Sequence, residues 1–281
     1  MESPQRFSNF NEMANITCIA KWIPQSSGER LFLALYEYVA SHLPPQFIDQ
    51  SWVVSAEGLT EFFRLTTVME LTHRCLNEGV DLLSNFPDAS TEALFRRLQM
   101  KVGLTLDVDF ARRIAQQTWH ASHAYIHRSL KKPIIDQVHR ESKKYCCWCG
   151  TLTTRARVQD YDTATVEHIW PEFLGGTSII DNLTIACYDC NTRRQHAYNW
   201  SWFSVHTFSD KFSATNGLPK EIKLAVGIHR LVKIASGHTS HSSEKLSLKD
   251  ALHRVQHAIP PIPCEQDTRY TFFEILNLAM E

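Results

Sequence analysis

Four of the chain's eight cysteines fall into two pairs, Cys146 with Cys149 and Cys187 with Cys190. Two residues lie inside each pair and 37 lie between the pairs. No other feature constrains the fold as strongly. A two-residue spacing lets one tight knuckle present two sulfurs to a single ion, and a second knuckle completes a tetrahedron. A closed four-sulfur site of that kind holds a structural zinc, not a catalytic one. Cys147 sits inside the first pair, and the spacing favours Cys146 over it as the ligand. Cys18, Cys75 and Cys264 stand apart. Residues 1–21 carry Glu2, Arg6 and Glu12 and no apolar run of the secretory kind. No stretch approaches the roughly 18 apolar residues of a membrane-spanning helix. The sequence therefore predicts a cytoplasmic protein, where thiols stay reduced and metal explains clustered cysteines better than disulfides do.

The cysteine segment divides the chain into three parts. Residues 1–140 predict a helical domain. An apolar-periodic run containing Leu31, Leu35, Tyr36 and Val39 stops at Pro44 and Pro45, and a second runs over about 59–83. A third opens at the candidate caps Ser90 and Thr91 and ends near Gly103. A fourth covers about 108–130, and Pro133 suits the first turn of a short fifth helix. Residues 141–200 form a compact middle. Residues 201–281 predict a helical extension with helices over 219–235, interrupted by Gly227, and 247–257, ended by Pro260 and Pro261. With 43% hydrophobic and 21% charged residues, the composition is that of an ordinary globular protein.

The middle part carries more than cysteines. Between and after the pairs come Val166-Glu167-His168-Ile169-Trp170-Pro171, Gly175-Gly176, Asp181-Asn182-Leu183 and, next to the last cysteine, Asn191 with Arg193 and Arg194. A strand over 163–169, a glycine loop, a second strand and a helix make a ββα layout. These residues resemble the HNH endonuclease family, in the version whose fold is held by four cysteines. The resemblance covers about residues 145–196 and implies an α+β, mainly helical protein. Its core would be a ββα-metal nuclease with a structural zinc, flanked by helical segments on both sides.

Carried over residue by residue, the resemblance implies that His168 is the general base activating water, while Glu167 and Asn191 hold one divalent ion, Mg²⁺ or Mn²⁺. Asn182 would constrain the loop so that the imidazole points correctly, and Arg194 would contact phosphate. The chemistry is self-consistent. A neutral imidazole with a pKa of about 6.5 can take a proton from water near neutral pH, and oxygen ligands suit a hard cation. Two residues depart from the family's commonest pattern. Glu167 stands where Asp is more frequent, and Asn191 takes the place of the final His, which shifts preference from zinc towards Mg²⁺-like ions.

A net charge of -1 carries no argument for nucleic acid. Local charge does. Residues 111–158 hold ten basic against two acidic side chains, and 193–233 hold seven against two. Residues 1–110 are acidic, eight against fourteen, so this part is expected to restrain or direct the nuclease. His120, His123 and His127 form a stripe on one helical face. Two other classes share the cysteines: a non-catalytic zinc module that binds nucleic acid, and a thiol redox or metal sensor. Inert residues at 167, 168 and 191 would have favoured the first, and the second leaves those positions without a role. Family members with large helical extensions resemble modification-dependent restriction enzymes or anti-phage effectors of the Zorya or Septu type. That analogy implies DNA as substrate and partner proteins from a defence operon. No ATP-binding loop is present, so no nucleotide cofactor of its own is expected.

Overall fold

A computed structural model describes residues 22–42, 56–105, 107–155, 159–194, 212–213, 220–236, 246–259 and 269–270. The helix stops expected at Pro44, Pro45, Pro260 and Pro261 lie outside them, as do residues 195–200 of the expected nuclease core.

Five helices precede the cysteines: α1 (Ser27–His42), α2 (Ala56–Asn85), α3 (Thr91–Val102), α4 (Val108–Ile126) and α5 (Lys132–Glu141). Their ends follow local chemistry. Ser26 and Glu29 exchange hydrogen bonds at the start of α1, satisfying two otherwise unpaired N–H groups. The Ser90 side chain accepts from Ala93 N, and Gly103 closes α3 in the left-handed conformation at φ 83°. Asp107 caps α4 in the same way. That helix ends at Ile126, short of the expected 130, because Lys131 must adopt extended backbone to start α5 with Pro133 in its first turn. The α1 helix carries Leu31, Phe32, Leu35, Tyr36 and Val39 into the core, packed between α2 and α4.

The cysteine segment follows as a two-stranded antiparallel sheet, β1 (Ala164–His168) and β2 (Leu183–Cys187), with Val166 opposite Ile185 and His168 opposite Leu183. Helix α6 (Tyr188–Arg194) starts at the next residue. Val138 of α5 packs on Leu183 and Ile185, so one face of the hairpin is covered by α5. Beyond it come α7 (Lys220–Ala235), α8 (Leu248–Arg254) and a two-residue pairing of β3 (Phe212–Ser213) with β4 (Arg269–Tyr270). Ser247 and Asp250 make a reciprocal capping box on α8. Gly227 lies inside α7, packed beside Ala258 and Ile259.

The helices before residue 131 share one apolar core with the cysteine segment. Trp22, Phe32 and Trp170 pack edge to face, with ring centroids 5.1 to 5.5 Å apart. Gly28 N donates to Gly175 O over 3.1 Å, and a Cβ on Gly28 would meet Leu174 O at 2.0 Å. Backbone therefore touches backbone where the glycine loop meets the start of α1. Among the described residues, no helix is long and apolar enough to cross a membrane.

Candidate metal and catalytic site

The two cysteine pairs meet. The Sγ atoms of Cys146, Cys149, Cys187 and Cys190 all lie within 4.8 Å of one another, and Cys149 and Cys187 are 3.8 Å apart. A tetrahedral zinc with Zn–S bonds of about 2.3 Å sets its sulfurs about 3.8 Å apart, so the donor set fits that ion. The first knuckle turns through Gly150 at φ 74°, with Gly150 N on Cys146 O and Cys146 N on Thr151 O. Cys147 N is used by Ile185 O, and Ala258 and Ile259 donate to the carbonyls of Cys147 and Trp148. The last described stretch of the chain before residue 260 therefore clamps the knuckle. Crowded thiols resist joint ionisation. Cys147 and Cys149 push the Cys146 thiol up to about 12, and Cys187 and Cys190 are raised as well, while the same contacts hold Cys149 low. Four thiolates at this spot need a cation.

Side chains alternate along a strand, so neighbours on β1 face opposite ways. Glu167 faces α6, where it is buried at 4% exposure and ion-paired with Arg194. Arg194 is itself 3% exposed. Its guanidinium also donates to His168 O and Ile169 O, and it lies 4.3 Å from the Trp148 ring centroid. Burial pulls Arg194 down to about 9, and Glu167 compensates the charge. The phosphate contact expected of Arg194 is thus not what its placement provides. Its Nη groups are used by a carboxylate and two carbonyls, its face lies near an indole, and its remaining donor, Nε, is buried away from solvent and substrate. Removing it strands a buried carboxylate, which typically costs about 3–5 kcal/mol. Arg194→Met should lose that much in chemical denaturation, and adding Glu167→Gln should recover most of it. Full stability in the single variant would show the pair to be inert.

Asn191, on α6, donates through Nδ2 to Thr165 Oγ1 and Val166 O, each over 3.0 Å. Its Oδ1 is left to accept or to ligate. Asn182 is 2% exposed and touches only main chain. Its Oδ1 accepts from Trp170 N at 2.8 Å, and its Nδ2 donates to Trp170 O and Thr177 O at 3.0 Å. It clips the two ends of the 169–182 loop together. These contacts pin the loop that follows His168.

His168 ends β1 with its side chain 15% exposed. Its Nε2 lies 3.1 Å from Ser178 Oγ and 3.5 Å from Glu172 Oε1. Burial lowers its affinity for a proton, Glu172 works against that, and Arg128 adds to it. Ser178, Glu172 and Arg128 were invisible as site residues in the sequence. The short 3-10 turn Glu172–Leu174 brings Glu172 back over His168, and the end of α4 brings Arg128 to 3.9 Å from Glu172. The i, i+4 separation of His168 and Glu172 was the one signal that could have exposed the first contact. Within the histidine stripe, His123 meets Trp119 edge to face at 4.8 Å and stacks on His127, the cap of α4, at 6.2 Å. Among the described residues, only the four cysteines form a His, Cys, Asp or Glu group close enough to hold an ion.

Residues 146–199 match the family model of the HNH endonucleases. The match begins at the first zinc-type cysteine and takes in the hairpin, the clipped loop and α6, so nuclease activity is implied for this segment. No curated protein and no solved structure matches the chain.

Proposed function

We propose that the chain is a metal-dependent endonuclease that hydrolyses phosphodiester bonds in DNA, on a ββα-metal core, with His168 as the general base. The observation that carries this reading is His168 itself. It is a shielded but accessible imidazole at the end of a strand, beside a loop pinned by Asn182, inside the matched segment. Glu172 and Ser178 lie on the Nε2 side. An Nε2–H directed at them leaves the Nδ1 lone pair to take a proton from water. Zinc on Cys146, Cys149, Cys187 and Cys190 would fix α6, and with it Asn191, against the hairpin.

A divalent cation, Mg²⁺ or Mn²⁺, would be held by Asn191 Oδ1 and Glu167, which stand on the α6 side of β1. It would supply charge stabilisation to the phosphate oxygens and the leaving oxygen. Because Glu167 is already ion-paired, the cation would share that carboxylate with Arg194. The anti-phage role and its partner proteins rest on likeness of layout alone, and that part of the proposal stands or falls on cleavage of phage DNA in cells.

Nicking of supercoiled plasmid by zinc-loaded protein with Mg²⁺, Mn²⁺ or no added metal tests the reading. Metal-dependent nicking is expected. Tight DNA binding with no cleavage under any metal would favour a non-catalytic zinc module, a reading that the Arg194 hold on Glu167 also suits. The rate should rise with pH as His168 loses its proton. Since burial outweighs Glu172, the midpoint in kcat/KM should lie below the ordinary value of about 6.5. Glu172→Gln removes the group that raises it, so the midpoint should move lower still. An upward move would reverse the assigned roles.

A further inference from the structure

Besides its metal ion, a nuclease grips the substrate's phosphates with basic side chains, and Arg194 is too buried to be one of them. We propose that Arg128, which lies outside the matched segment, is the residue that grips the substrate phosphate. This inference rests on the nuclease reading above and names a binding residue for it.

Three observations converge on Arg128. Its first is location. Arg128 Nε is 3.9 Å from Glu172 Oε1, and the same oxygen is 3.5 Å from His168 Nε2. Guanidinium and imidazole therefore flank one carboxylate oxygen, so a phosphate held by Arg128 lies next to His168.

The second is preorganisation. Arg128 follows α4, where the carbonyl end of the helix favours a cation. Its Nη1 donates to Tyr125 O over 2.7 Å, and its guanidinium carbon lies 3.7 Å from the Tyr125 ring centroid. One edge and one face are used to hold the group still, so less side-chain freedom is lost when a ligand arrives.

The third is availability. The side chain is about a third exposed, 36%, and its contact with the half-exposed Glu172 is at the outer limit of an ion pair. Such a contact is worth little in water. A phosphodiester, offering two oxygens to a planar donor fork, can displace it. The two arginines within α4 are already committed. Arg112 pairs with Glu92 and Arg113 with Glu37, both over less than 3 Å.

The test uses the full chain loaded with zinc. Duplex DNA binding is followed by fluorescence anisotropy across a potassium chloride series without added Mg²⁺ or Mn²⁺, and plasmid cleavage is followed with them. Arg128→Ala is expected to reduce the slope of log affinity against log salt by about 1 and to raise KM about tenfold. Zinc content and melting temperature should not move. Arg128→Lys should keep most of the slope. Arg113→Ala should match the wild type in both measurements. A wild-type slope and KM in Arg128→Ala overturns the assignment while leaving the nuclease reading intact. An equal loss in Arg113→Ala overturns it too, by making the contact diffuse. Wild-type protein that neither binds nor cuts DNA removes the nuclease reading, and Arg128 with it.

Discussion

His168→Ala is expected to abolish plasmid cleavage while zinc content, folding and DNA binding stay near normal. Removing a general base typically lowers the rate about 10²- to 10⁴-fold. The side chain is well suited to a clean test. It is neither a zinc-type ligand nor a core residue, and its recorded partners are Ser178 and the half-exposed Glu172. Truncation therefore leaves no buried charge behind. Variants of Glu167 and Asn191 should fail differently. Asn191→Ala removes an oxygen proposed to bind the metal, so excess Mn²⁺ should restore part of its activity, and Mn²⁺ should restore none to His168→Ala. Glu167→Ala leaves Arg194 buried without its carboxylate and should lose stability as well. Wild-type rates in zinc-replete His168→Ala would end the proposed mechanism.

The parts of this protein that could be read from sequence are those governed by local rules. Cysteine spacing is a statement about one knuckle, and the four sulfurs do come together. Ser90, Gly103 and Pro133 mark helix ends through their own backbone chemistry, and the structure uses each of them so. What could not be read was non-local. Arg194 closes a helix, a position where arginine usually meets water. Nothing near it in sequence reveals Glu167 and Trp148, which enclose it from 27 and 46 residues away. Arg128 reaches His168 only because α4 ends beside the 172–174 turn.

The charge contrast between the two parts of the chain also needed three dimensions. Part of it is spent internally. Glu78 and Asp81 pair with Arg97, Glu92 with Arg96 and Arg112, and Glu37 with Arg113. Four of the fourteen acidic residues of 1–110 are thus paired with basic residues on α3 and α4. The packing of Trp22 and Phe32 on Trp170, and of Gly28 on Gly175, further argues that these helices support the loop carrying His168's partners. A fragment starting near Lys131 would expose Trp170 instead of uncovering an intact site.

Cys187→Ser is expected to have the largest effect on folding. Cys187 is 2% exposed, closes β2, and lies 3.8 Å from Cys149 within the sulfur quartet, so its loss removes one corner of the set and the link between hairpin and α6. Zinc binding in small stapled units contributes about 10–16 kcal/mol of folding free energy at neutral pH, and three sulfurs recover only part of it. The variant should therefore be poorly soluble or melt well below the wild type, with zinc content near zero by elemental analysis. A chelator should do the same to the wild type, more readily as pH falls, because protons compete for the thiolates. Cys147→Ser provides the contrast. Cys147 is buried beside the knuckle, but its sulfur is outside the quartet, so zinc content should stay near one per chain. Zinc lost from Cys147→Ser and kept in Cys146→Ser would exchange the two ligands. Wild-type protein purified without zinc, yet folded, would leave the four sulfurs as a packed thiol cluster and remove the staple on which the orientation of Asn191 depends.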